Sequence, residues 1–168
     1  MSRPSGQVKT GKKGSYTLFQ RINRSNPEKV FIVAYNSYAT AALTNGQAVI
    51  WDFATDADGV GVTRPSARAS NAGLAVAGIV ADTIASGSYG LIQTYGYHSA
   101  VRVRQDTSSA AANVAAGRPL ALNVAGSVFC LEPIQTASTV ILTFPCAFAL
   151  AAQASWTTKA IACFLKCL

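Results

Sequence analysis

A chain of 168 residues that is 50% apolar and only 12% charged has room for one domain with appendages, but carries about half the charge of an ordinary soluble protein. Its formal charge of +7 is lodged almost wholly before residue 30, where Arg3, Lys9, Lys12, Lys13, Arg21, Arg24 and Lys29 face the single acid Glu28. The long apolar stretch Val140 to Ala152 is broken by Thr143 and Pro145 and falls short of the roughly 18–20 residues of a membrane helix. No apolar run follows the basic N-terminus, so neither a membrane span nor a secretory leader is expected.

Residues 1–29 read as an extended basic arm and residues 30–168 as one β-rich domain. The arm opens with Ser, Gly, Pro and Lys and has no apolar run before Tyr16. Alone it does not bury enough surface to offset its ordering entropy, so it is expected to be mobile until a partner holds it. Tyr16 to Ile22 alternates and suits a short strand or a docking segment, ended by Pro27 and the restriction it places on Asn26. Val30 to Tyr35 is β-branched and aromatic, and Ala48 to Phe53 follows the turn signal Thr44-Asn-Gly-Gln47; both are expected strands. Thr55 to Asn71, with Asp56, Asp58, Gly59, Gly61 and Pro65, reads as a long surface loop.

Leu74 to Ala81 and Tyr89 to His98 are the next expected strands, separated by the turn Ser86-Gly-Ser88. The alternation continues to Arg104, setting Val101 and Val103 on an apolar face and Arg102 and Arg104 on a basic one. Asp106 to Ala116 fits a loop or a helical turn. Pro119–Val124, Gly126–Leu131, Val140–Phe144, Ala147–Ala152 and Lys159–Leu165 complete the strands; Ala147 to Ala154 has helical propensity but is read as strand from its neighbours. Leu43 to Ile50 and Ala115 to Leu122 each place a Gly just before a strand, as a turn-then-strand unit used twice would. Many short strands between Gly, Asn and Ser turns predict an all-β fold, a compact β-sandwich or small β-barrel with an extended N-terminal arm.

The groups that would carry catalysis are sparse. His98 is the one histidine, with no acid, Ser or Cys partner beside it in sequence except Ser99, so it is read as structural. Asp56-Ala-Asp-Gly59 is a fragment of a calcium loop without the closing Glu. No enzyme activity, cofactor or metal is expected. Cys130, Cys146, Cys163 and Cys167 lie in apolar surroundings and are read as small buried hydrophobes. On a strand, Cys163 and Cys167 share a face about 13 Å apart, too far for one zinc ion; whether any of the four pair is open.

The stretch Ala77 to His98 holds Gly78 and Val80, then Gly87, then Gly90, Gln93 and Gly96. That Gly-x-Val, turn, Gly-x-x-Gln-x-x-Gly pattern resembles the capsid decoration, or cement, proteins of tailed bacteriophages. Ala116-Gly-Arg-Pro-Leu120 before a strand and the closing strand Ala160 to Leu165 fit the same pattern, so the resemblance covers Leu74 to Leu168. The chain departs from it in its basic arm, its four cysteines and its Thr55–Asn71 loop.

The resemblance implies a non-enzymatic virion structural protein on the outer capsid surface. Such a protein stabilises contacts between capsomers, with the major capsid protein and copies of itself, as a trimer or other homo-oligomer, for partners. Arg3, Lys9, Lys12, Lys13 and Arg21 are the expected capsid contacts, with Tyr16 and Phe19 as anchors. The sparse charge independently suits a surface covered by other subunits. The alternatives are a small-virus coat protein whose arm binds nucleic acid, and another head or tail subunit. Four basic residues before Tyr16 are few for a packaged genome, so nucleic acid is not the expected partner.

Overall fold

The computed structural model describes residues 28–56, 59–65, 76–104, 114–122, 130–134, 145–153 and 157–167. Among them there is no helix. Nine strands form one mixed sheet: β1 (Lys29–Asn36), β2 (Ala48–Trp51), β3 (Gly61–Thr63), β4 (Val76–Val80), β5 (Tyr89–Val103), β6 (Pro119–Leu122), β7 (Leu131–Pro133), β8 (Ala147–Ala149) and β9 (Lys159–Lys166). The all-β expectation holds, and the sheet closes twice. β1-β3-β2-β4-β5 forms one ring, sealed by β1 against β5; β5-β7-β6-β8-β9 forms a second, sealed by β9 against β5. The body is two five-stranded barrels that share β5.

β5 serves both rings because it is long and bulged. Its pairing with β1 steps past Thr94 between Tyr95 and Gln93, and its pairing with β9 gains a residue between His98 and Val101. Extra residues of this kind bend a strand and increase its twist. The register leaves Val101 and Val103 buried and Arg102 and Arg104 half-buried, as the alternation required.

The second barrel repeats the first. β1 pairs parallel with β3, and β2 antiparallel with β3; likewise β5 pairs parallel with β7, and β6 antiparallel with β7. β2 and β4 correspond to β6 and β8, which pair in the same sense. The hydrogen bonds match atom for atom. Gly46 donates to Val80 O (2.9 Å) and Val80 to Gln47 O (2.9 Å); Gly117 donates to Ala149 O (2.7 Å) and Ala149 to Arg118 O (2.9 Å). The Leu43–Ile84 bridge corresponds to the Val114–Gln153 bridge. Within the first barrel the unit recurs once more, since Gly87 donates to Asn36 O (3.0 Å) and Asn36 to Ser88 O (2.9 Å). The turn-then-strand unit expected twice is therefore used three times, at Gly46, Gly87 and Gly117, all with positive φ.

Each barrel has its own core. The first packs Ala34, Leu43, Val49, Val62, Ala77, Val80, Ile84 and Ile92. Their counterparts in the second, in the same order, are Val101, Val114, Leu120, Leu131, Cys146, Ala149, Gln153 and Cys163, all buried. Only Ile84 to Gln153 changes an apolar side chain for a polar one, and the Gln153 amide donates to Thr157 O at 2.8 Å. Ala48 and Ile79 sit on the outside of the first barrel yet belong to the second core, so the barrels are fused by apolar burial as well as by β5. A fully buried Leu or Ile contributes roughly 1.5–3 kcal/mol.

Two expectations are corrected. The Thr55–Asn71 segment is not all loop: Gly61–Thr63 is β3, which Val62 anchors in the core. Lys29, assigned to the arm, is the first residue of β1. Of the expected strand Gly126–Leu131, residues 126–129 lie outside the described residues, and Leu131 begins β7, which runs on to Pro133. Val140–Phe144 lies outside the described residues.

Candidate attachment surface

In the barrel wall, alternate residues of a strand point in and out. In β1 the inward set is Ile32, Ala34 and Asn36; the outward set is Phe31, Val33 and Tyr35. The register places Val33 opposite Leu91 and Tyr35 opposite Tyr89. These outward side chains are apolar and exposed: Phe31 by 42%, Val33 by 63%, Tyr89 by 66% and Leu91 by 42%. The Tyr35 and Tyr89 rings are 5.2 Å apart and tilted by 56°, a geometry that fixes both side chains. The result is a two-stranded apolar stripe on the outside of a closed barrel. Contiguous exposed apolar patches of this kind mark interaction sites in soluble proteins.

Aromatic side chains also follow β5 into the second barrel. Tyr97 pairs with Phe164, and Phe164 with Phe148. The Tyr95 and Phe164 rings meet edge to face at 5.2 Å. The Lys29 ammonium lies 5.9 Å from the Tyr97 ring centroid, within cation–π range. This Lys29 is where the chain enters the body, so the basic segment joins the sheet beside these aromatics.

The foot of the first barrel is polar. A shallow cleft of about 390 Å³ is lined by Tyr35, Asn36, Ser37, Thr55, Asp56 and Ser86, among others. Asn36 is buried, its amide donating to Ile84 O at 3.0 Å and its oxygen accepting from the Tyr38 N–H at 3.0 Å. Partial burial raises the Asp52 carboxyl, but the hydroxyls of Ser37 and Thr55 and the N–H groups of Thr55 and Ala54 outweigh it and hold the pKa below its ordinary value. Ser37 donates its proton to that carboxylate. Hydrogen bonds from Thr40 and Arg64 lower the Tyr38 phenol. These contacts tie the turns after β1 and β2 together.

His98 stands at the β5 bulge. Its Nδ1 accepts from the Ala100 N–H at 3.1 Å, and it is also bonded to the backbone of Val80. The imidazole is thus held against main chain at the bulge. The expected capsid contacts Arg3, Lys9, Lys12, Lys13, Tyr16, Phe19 and Arg21 all lie outside the described residues. Phe31, Val33, Tyr89 and Leu91 were not singled out in the sequence, because a strand apolar on both parities reads as buried on both faces.

The glycines and the glutamine of the Gly-x-Val, turn, Gly-x-x-Gln-x-x-Gly pattern have distinct packing roles. Gly78 abuts the backbone of Gln93, and Gly90 is packed against Ile84. Gln93 is buried and donates to Tyr95 O (3.1 Å) and Tyr97 O (3.0 Å). Gly96, at φ 95°, lies against the carbonyl of Glu28, where a Cβ would collide with backbone. Gly78 and Gly96 thus let β4 and the start of β1 approach the β5 backbone closely, while Gly90 makes room for Ile84 in the first core.

No protein-family model matches the sequence, and no curated protein does. Among solved structures, the head fiber gp8.5 N base in bacteriophage phi29 has a similar chain path. It is 11% identical, with a TM-score of 0.42, over 80% of this chain and 93% of that one.

Proposed function

We propose that this protein is a virion structural subunit that decorates a phage capsid, binding the outer surface of the head and stabilising contacts between capsomers. The observation that carries the reading is the exposed apolar stripe Phe31, Val33, Tyr89 and Leu91, beside whose Phe31 end the basic N-terminal segment joins the body at Lys29. An apolar centre with a basic extension suits a protein surface carrying acidic groups: the stripe supplies burial, and the arm supplies steering and register. The sparse charge of the whole chain fits contacts on several sides. Arg3, Lys9, Lys12, Lys13 and Arg21 would meet the shell, with Tyr16 and Phe19 as anchors. The closed barrels qualify one part of this picture. Every described strand has a neighbour on both sides, so attachment to this body proceeds through side chains, not by adding a strand to an edge.

The test is binding to capsids assembled from the cognate major capsid protein. Val33→Asp combined with Tyr89→Asp should leave the circular dichroism spectrum unchanged and lower occupancy at least about tenfold, the loss of one well-buried anchor or more. Deleting Met1 to Gly14 should also leave a folded body and weaken attachment. Undiminished occupancy in both variants would sink the proposal. The basic arm favours one second reading, a coat protein that binds nucleic acid. That protein would form shells and purify with strong absorbance at 260 nm, whereas a decoration subunit would purify as a free oligomer without it.

A further inference from the structure

The second barrel differs from the first most in its sulfur. Cys146, Cys163 and Cys167 occupy the places that Ala77, Ile92 and Gly96 hold in the first barrel. Cys146 immediately precedes β8, and Cys167 immediately follows β9, the last strand. The Lys166 N–H donates to Cys146 O at 2.8 Å, so Cys167 is one residue beyond a cross-strand partner of Cys146. That diagonal separates two Cα atoms by about 6 Å, inside the span of a disulfide. The Cys167 side chain already lies against Cys146. Its thiol donates to Cys146 O at 3.4 Å, the Cys146 thiol reaches Leu120 O at 3.6 Å, and Cys167 packs against the core cluster that contains Cys146. Cys146 is buried and Cys167 half-exposed; both are free thiols in this structure.

We propose that Cys146 and Cys167 form a reversible disulfide that fastens β9 to β8 when the protein meets an oxidising medium. The oxidant is a small disulfide such as oxidised glutathione. The half-exposed Cys167, as thiolate, attacks one glutathione sulfur and expels the other as glutathione thiolate. The Cys146 thiolate then attacks the Cys167 sulfur of the mixed disulfide and expels the second glutathione. Two protein thiols lose two electrons and two protons, one disulfide forms, and one oxidised glutathione becomes two reduced ones. Hydrogen bonding to Cys167 and burial push the Cys146 thiol well above its ordinary range. The second step is therefore the slow one, and it quickens as pH rises. Burial pushes Cys163 up to about 12, which keeps it a thiol.

The position gives the bond its effect. β9 closes the second barrel by pairing with both β8 and β5, so fraying from its C-terminal end opens the ring. A bond between residues 21 apart closes a loop for which chain-entropy arguments give a rise in thermal midpoint of about 7–14 °C in a chain of this size.

The experiment treats the reduced full-length protein with oxidised glutathione at mildly alkaline pH and maps tryptic peptides without reduction. Cleavage after Lys166 separates Cys163 from Cys167, and a second cut with chymotrypsin, after Phe129 and Leu131, separates Cys130 from Cys146. The expected result is a peptide joining Cys146 to Cys167, two hydrogens lighter than its parts, with a midpoint rise of the stated size that reductant reverses. Cys163→Ser should keep both effects and Cys167→Ser should lose both. A Cys146–Cys163 linkage, a lasting glutathione adduct on Cys167, or four thiols still open to alkylation after denaturation would overturn the proposal.

Discussion

His98 is held neutral by its surroundings. Burial lowers its pKa below the ordinary 6.5, the Lys29 charge adds to this, and the bond to Val80 opposes it. The folded pKa lies below the unfolded one, so the unfolded chain takes up the proton first as pH falls. Stability is full above about pH 6.5 and declines below it. The thermal midpoint should therefore drop between pH 7 and pH 5, and His98→Gln should flatten that decline; an identical slope in both proteins would show that His98 is not its source. Asp52 acts in a separate window. Its pKa is lowered, so its contribution is present above the unfolded carboxylate value of about 3.9 and is lost as pH falls below it. Gly46 has φ 80° and meets the Ala100 carbonyl where a Cβ would stand. Gly46→Ala should cost at least about 1–3 kcal/mol from backbone strain alone, measurable by urea unfolding. The turn itself was legible, because Asn-Gly between apolar runs needs a residue of positive φ. The contact with Ala100 was not, since it depends on a neighbour more than fifty residues away.

Among the elements, β5 was the most readable. Its alternation through Arg104 was visible, and only its double use by two barrels was hidden, because bulges leave no mark in composition. β3 was missed for a plain reason: three residues, Gly61-Val-Thr63, give no periodicity, and pairing with β1 and β2 makes them a strand. β1 was recognised as a strand, but which of its faces is exposed was not legible, since Phe31, Val33 and Tyr35 are as apolar as the inward Ile32 and Ala34. Exposure gives a direct check. Val33→Ser should change stability by no more than about 0.5 kcal/mol, as surface substitutions do, while Ala34→Ser on the opposite face should destabilise by about 1–3 kcal/mol through an unsatisfied buried hydroxyl. Equal effects would mean that the stripe is covered within the molecule. The Gly-x-x-Gln-x-x-Gly spacing was legible as a pattern, and its physical content is a crossing point where three backbones approach closely.

At the level of the whole molecule, the duplication was visible only as a faint likeness between the Gly46 and Gly117 turns. Hydrogen-bond topology carries the repeat, and it tolerates any side chain of suitable polarity, so the two copies share little else in sequence. Sharing β5 couples the two cores. Val49→Ala in the first barrel and Leu120→Ala in the second should lower the same single unfolding transition, the latter by about 2–5 kcal/mol; two separable transitions would show that the barrels melt independently. The shared strand also decides how the body carries force. Lys29 pairs with Gly96 near the middle of β5, so the N-terminal segment leaves from the waist of the molecule. Tension along β1 loads its hydrogen bonds to β5 in shear, all together, instead of peeling them one by one. The strand receiving that load is common to both barrels, so strain divides between two cores.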